Sequence, residues 1–112
     1  SVELYVDYVR YIVERTMREP ELTRALLELR LEAGRHPDLA SALRQTLQRG
    51  YRDDVAFHAE SGLPGGAFEV ALLHYAIDGL LLDRLTVSIG SDETLDEAVI
   101  AFVERLVGSA RP

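Results

Sequence analysis

Residues 67–87 read AFEVALLHYAIDGLLLDRLTV, and this stretch decides the fold. Its apolar residues recur at helical spacing, yet they cover nearly the whole circumference of the helix that they predict. A helix that is apolar all round must also be covered all round. A single domain of 112 residues rarely encloses one helix completely. We therefore expect a second copy of the chain to supply part of the cover.

The last predicted helix, which includes residues 95–107, also has excess apolar surface, here as two adjoining apolar faces. Two consecutive helices with excess apolar surface predict a four-helix interface across a two-fold axis. The alternative is that this surface forms the core of one subunit, but a large exposed apolar patch favours aggregation. The predicted interface residues are Leu72, Ala76, Gly79, Leu80, Leu95, Val99, Phe102, Val103 and Leu106.

Helical spacing also runs through the first half of the chain, and no segment shows the alternation typical of a strand. A first helix is predicted over residues 2–18. Pro20 opens the second, which Gly34 ends. On that second helix, one face carries Leu22, Ala25, Leu26 and Leu29.

Turn residues divide the rest of the chain. A third helix is predicted over residues 37–61, followed by the loop 61–66, which reads SGLPGG. The fourth helix is expected over residues 67–87, and the fifth from the N-cap Asp92 to about Gly108. Residues 109–112 are expected to fray. Together these segments predict an all-α fold with one domain over 1–112, an antiparallel bundle of about five helices.

Composition excludes several classes of protein. The net charge is −7 and all 12 basic residues are scattered arginines, which argues against direct contact with nucleic acid. Without cysteine there is no disulfide or thiolate chemistry. No apolar run could span a bilayer, so no membrane contact is expected. The absence of lysine and asparagine is compatible with a high-GC bacterial genome, and the absence of cysteine fits a cytoplasmic protein.

Histidine and carboxylate pairs are the candidates for chemistry. His74 and Asp78 lie four residues apart on one helix face, either as a polar anchor for a ligand or as a packing pair, which we favour. Asp54 and His58 repeat the spacing and are expected to form a partly exposed pair. Metal ligation needs three or four convergent ligands, so neither a metal nor a cofactor is expected, and no catalytic motif is present.

Aromatic and thioether side chains suit a pocket for an apolar ligand, although the same residues could simply fill a core. The predicted pocket consists of Tyr8, Met17, Tyr51, His74, Tyr75 and Asp78.

Several segments together resemble the TetR/AcrR family of transcriptional regulators. They are LLEL at 26–29 followed by PDL at 37–39, GLPGG at 62–66, AIDGL at 76–80, and residues 97–106. The resemblance implies a C-terminal regulatory domain, without enzymatic activity, that pairs with a second subunit and binds a small effector. It also implies that operator DNA is bound only through an N-terminal helix-turn-helix domain, which this chain lacks.

Two alternatives come from other functional classes. The chain could be a stand-alone helical homodimer that serves as an interaction module, which predicts no central cavity. It could also be a small helical enzyme that uses His74 and Asp78, which predicts a solvent-accessible cleft around His74.

Overall fold

The computed structural model describes residues 2–108, and this part of the chain contains five α-helices and no strand. The all-α fold is thereby confirmed. The tail predicted for residues 109–112 lies outside the described residues. The helices are α1 (Val2–Met17), α2 (Pro20–Ala33), α3 (Pro37–Glu60), α4 (Ala67–Leu85) and α5 (Leu95–Leu106).

The core of the chain is built from α1, α4 and α5. The valines of α1 and α5 interlock with the leucines of α4, and α1 packs extensively along α5. Arg10 and Asp96 add a contact between α1 and α5, with 2.6 Å between Nε and Oδ1. The buried apolar side chains of this core are Tyr5, Val6, Val9, Val13, Leu73, Leu80, Leu81, Leu85, Val99, Val103 and Val107.

The second helix is only lightly packed against this core, and two arginines attach it to α4. Arg24 Nε donates to the carbonyl oxygen of Leu85 at 3.0 Å, at the C-terminal end of α4 where carbonyls lack helical partners. Arg30 Nη1 lies 3.0 Å from Asp78 Oδ2. Arg24 near the start of α2 thus meets the end of α4, and Arg30 further along α2 meets an earlier turn of α4, so the two helices run antiparallel.

The loop between α3 and α4 depends on glycine and on a buried histidine. Gly62 and Gly65 have φ angles of 67° and 84°, which other residues rarely adopt. His58 Nε2 donates to the Pro64 carbonyl at 3.0 Å. The side chain of His58 is 1% exposed, so its predicted position in a partly exposed pair is wrong.

The fourth helix ends earlier than predicted, at Leu85 rather than Val87. The Asp83 carboxylate accepts hydrogen bonds from Ile89 N at 2.8 Å and from Ser88 Oγ at 2.7 Å, which turns the chain back over the helix end. These two bonds are the main causes that lower the pKa of Asp83.

The start of α5 also differs from the prediction. Thr94, not Asp92, is the N-cap: its Oγ1 accepts from Glu97 N at 3.0 Å, and Thr94 N donates to Glu97 Oε1 at 3.4 Å. This reciprocal capping box requires a glutamate three residues after the cap, which Thr94 has and Asp92 lacks. The helix then ends at Leu106 rather than near Gly108.

Within the described residues, no helix is both long and apolar enough to cross a membrane.

Candidate ligand-binding cleft

A cleft of about 910 Å³ lies between α1, α2 and α4, a volume within the range of small-molecule sites. Its middle is apolar because α1 and α4 present valine, isoleucine and leucine to the leucines of α2. The apolar lining residues are Val9, Ile12, Val13, Leu22, Leu26, Leu27, Val70, Leu73, Ile77 and Leu81.

One end of the cleft, which we name the closed end, is walled by Tyr5, Tyr8, Asp54, Val70 and His74. Tyr5 and Val70 are buried. The opposite end, the mouth, is formed by the exposed residues Arg15, Arg18, Glu19 and Leu22. The two ends therefore differ in burial: Tyr5 and Val70 are buried at the closed end, whereas the residues of the mouth are exposed.

A hydrogen bond between α3 and α4 forms part of the closed end. His74 Nε2 lies 2.7 Å from Asp54 Oδ2, and both side chains are about one-third exposed. The hydrogen bond to Asp54 raises the pKa of His74 above the usual 6.5, against the opposing effect of burial. The imidazole therefore carries its positive charge to a higher pH than a free histidine does.

The two tyrosines of the closed end lie within the electrostatic reach of Asp54. Burial, and then the negative charge of Asp54, raises the pKa of Tyr5 to about 12 and also raises the pKa of Tyr8. The Tyr8 ring stacks on Phe57 with 4.4 Å between centroids, and Tyr5 lies edge-on to His58. Both hydroxyls consequently remain protonated donors at neutral pH.

The two histidine–carboxylate pairs predicted from the sequence are not the pairs that the structure contains. Asp78 contacts Arg30 on α2, not His74, and Asp54 contacts His74, not His58. Both predicted pairs had partners four residues apart on one helix, whereas both observed contacts join different helices. His36 is exposed, and its Nε2 lies 2.8 Å from Glu32 Oε1.

Three of the six predicted pocket residues line the cleft: Tyr8, His74 and Asp78. The other three do not. Met17 is half-buried beside the core, Tyr75 is exposed, and Tyr51 donates from its hydroxyl to the Ala67 carbonyl at 2.7 Å while its ring contacts His74 edge-on.

Asp54 was not predicted as a cleft residue, and the leucines of α2 were given no role in a cleft. The spacing of Leu22 and Leu26 on one helix face was visible in the sequence. The sequence carried no signal that this face borders a cleft, because the position of α2 against α1 and α4 is set by tertiary packing.

The side of α4 that faces away from the core is apolar and accessible. We name it the outer face; it consists of Phe68, Leu72, Tyr75, Ala76, Gly79 and Leu82. Phe68, Tyr75 and Leu82 are 68%, 69% and 47% exposed. A Cβ added at Gly79 would meet nothing within 4 Å. The helix α4, which was predicted to be apolar all round, thus has one side buried in the chain and one side open.

The nine predicted interface residues divide into two groups. Leu80, Val99 and Val103 are buried inside the subunit, because α4 and α5 turn these side chains towards α1, so they have almost no surface to offer a partner. The other six are accessible or half-buried, and the interface stays a prediction that rests on them: Leu72, Ala76, Gly79, Leu95, Phe102 and Leu106.

The arrangement of polar groups suits binding. Thr16 and Thr23 in the cleft donate to the backbone carbonyls of Ile12 and Thr16 at 2.8 Å. His74 contacts the carboxylate of Asp54, not a hydroxyl that it could activate. Over residues 2–108, no group of three histidine, aspartate or glutamate side chains is arranged to hold a metal ion.

Comparison with known protein families identifies the family of this chain. Residues 1–109 match the family described as "Tetracyclin repressor-like, C-terminal domain". No curated protein sequence matches the chain significantly. The match covers almost the whole chain and agrees with the five-helix fold. This chain therefore belongs to the family of tetracyclin repressor-like C-terminal domains, whose members are regulatory rather than catalytic.

Proposed function

We propose that this chain is the regulatory domain of a TetR-like repressor that acts in the bacterial cytoplasm. It senses a small, mainly apolar effector in the cleft and pairs with a second copy through α4 and α5. Operator DNA is contacted by a separate N-terminal helix-turn-helix domain. The observation that carries this proposal is the cleft of about 910 Å³ beside the same helix that presents the outer face.

The position of the cleft supports a coupling between the ligand and the partner subunit. The fourth helix lines the cleft with Leu73 and Ile77 and carries Leu72 and Ala76 on its outer face. A ligand that fits one arrangement of α2 and α4 better than another shifts the population of the two arrangements. A displacement of α4 would then change the geometry of the dimer and the spacing of the two DNA-binding domains.

The cleft favours a sensor over a stand-alone interaction module. Such a module has no need of a concave apolar surface between its own helices, which is the kind of surface that binds small molecules. The enzyme alternative predicted a solvent-accessible cleft around His74, and His74 does line the cleft and is about one-third exposed. It contacts Asp54 and not Asp78, however, so the pair on which that alternative depends is not formed.

Filling the cleft tests the effector site. The probe is Nile red, an uncharged apolar dye, and the readout is its fluorescence on titration with protein. Leu26→Trp places a bulky ring in the middle of the cleft and is expected to weaken dye binding at least about tenfold. The matched control is Leu31→Trp, on the same helix, since Leu31 is exposed and lies outside the cleft.

Circular dichroism and a thermal melt check that both variants fold like the original chain. If folded Leu26→Trp binds the dye as tightly as Leu31→Trp does, the cleft is not the effector site.

A further inference from the structure

The charges at the closed end of the cleft are already matched. His74 pairs with Asp54, and a short distance along the cleft Arg30 pairs with Asp78. A ligand charge placed here would lose part of its hydration and would find both pairs of charged side chains already formed. The closed end therefore disfavours both a carboxylate and an ammonium group.

The hydroxyls of Tyr5 and Tyr8 are the unmatched polar groups of the closed end. Among the described residues, no hydrogen bond to either hydroxyl is present, although both rings line the cleft and the Tyr5 side chain is almost fully buried. A phenol hydroxyl without a protein partner can donate its hydrogen bond to a ligand oxygen in the cleft. Asp54 acts on both hydroxyls and would repel an anion placed between them.

The remaining length of the cleft is apolar. From Tyr5 to Arg18 the wall formed by α1 and the residues after it is about 20 Å long at the helical rise per residue. Valine, isoleucine and leucine side chains line the part between the closed end and the mouth. An extended hydrocarbon chain or a fused ring system would find apolar contacts over most of this distance.

From this geometry, and resting on the proposed sensor function, we propose that the effector is an uncharged, elongated apolar molecule with one hydrogen-bond-accepting oxygen at its end. A ketone, an ester or an amide would satisfy this description. The oxygen would accept hydrogen bonds from Tyr5 and Tyr8 at the closed end, and the apolar body would lie between α1, α2 and α4.

Three probes of equal chain length test the head group: 2-decanone, decanoate and decylammonium. Their affinities are measured by displacement of Nile red at neutral pH. The expected order has 2-decanone first, with each charged probe at least about tenfold weaker. Tyr5→Phe and Tyr8→Phe are each expected to weaken 2-decanone binding about fivefold, because one hydrogen bond is lost. The matched control is Tyr11→Phe, on the exposed side of α1, which is expected to change nothing.

The affinity of Nile red is also measured for the wild type and for the tyrosine variants. Binding of the dye tests the sensor function, and its displacement by the three probes tests the head-group assignment. If the dye binds but decanoate or decylammonium displaces it better than 2-decanone, the head-group assignment is wrong and the sensor function stands. If 2-decanone binds most tightly but neither tyrosine variant lowers its affinity, the assignment to Tyr5 and Tyr8 is overturned. If neither dye nor probes bind, both the sensor function and the head-group assignment fail.

Discussion

The two sides of α4 differ in how they treat polar groups. The cleft side carries His74 and Asp78 among apolar residues, and each of these polar side chains is held by a residue from another helix. The outer face carries Phe68, Tyr75 and Leu82 in an open apolar surface. A concave surface with fixed polar groups discriminates between small molecules, whereas an open apolar surface suits a protein partner.

The presence of two apolar surfaces on α4 explains why the sequence of this helix shows no single amphipathic pattern. Residues that serve two apolar surfaces on one helix merge into a continuous apolar stretch, which hydrophobic periodicity cannot divide. The division becomes visible only when the neighbours of each side are known. The predictions that follow test whether the two sides of α4 are separate in energy as well as in position.

The largest effect is expected from a charge on the outer face. Gly79→Arg introduces a long cation where a Cβ meets nothing in the subunit, so the fold should persist. In a dimer through this face the charge would be buried, and we expect the dissociation constant to rise at least about 100-fold. Sedimentation velocity over a range of concentrations measures this change.

Gly50→Arg is the control for this substitution. Gly50 is also an exposed glycine inside a helix, and a Cβ there also meets nothing within 4 Å. A wild-type chain that sediments as a monomer at high micromolar concentration would contradict the proposed dimer, and equal behaviour of the two variants would place the interface elsewhere.

Truncating one leucine on each side of α4 should separate folding from association. Leu73→Ala removes a buried side chain from the core and is expected to lower the free energy of unfolding by about 2–5 kcal/mol. Leu82→Ala removes a half-exposed one and should cost less than about 1 kcal/mol in dilute protein. Urea denaturation at low and high protein concentration distinguishes the two cases.

If the outer face is covered by a second subunit, the cost of Leu82→Ala grows with protein concentration while the cost of Leu73→Ala does not. If Leu73→Ala and Leu82→Ala lower the free energy of unfolding by the same amount at every protein concentration, the two sides of α4 are not separate in energy.

The smallest effect concerns pH. The pKa of His74 is raised in the folded chain, so its contribution to stability is fully present below pH 6.5 and is lost as the pH rises through the folded value. The difference in the free energy of unfolding between the wild type and His74→Gln should therefore shrink from slightly acidic to alkaline pH.

NMR titration measures the cause directly. The pKa of His74 should lie above 6.5 in the wild type and move back towards it in Asp54→Asn, because the hydrogen bond to Asp54 is the main source of the shift. An unchanged His74 pKa in that variant would contradict the assigned partner.

The sequence predicted the fold well and the site only in part. Helix number and class followed from apolar spacing, which local sequence carries directly. The loop at residues 61–66 followed from its glycines and proline, and its φ angles show why these residues are needed. At the ends of α4 and α5, side chains such as Asp83 and Thr94 decide the boundary, and an apolar pattern does not register them.

The partners of polar residues were beyond reach because the observed pairs join different helices. His74 and Asp54 are 20 residues apart, and Arg30 and Asp78 are 48 apart. A sequence shows neighbours at four residues on every helix, so it offers the wrong partner as readily as the right one. The burial of His58 was missed for the same reason, since Pro64 and Tyr5 enclose it from outside α3.

The attachment of α2 by Arg24 and Arg30 has a mechanical consequence. Arginine side chains have several rotatable bonds, so their head groups can keep hold of the Leu85 carbonyl and of Asp78 while the helix that carries them shifts slightly. Interlocked apolar packing has no such tolerance, since small gaps already forfeit contact energy. The width of the cleft between α2 and its neighbours can thus change while both arginine contacts are kept.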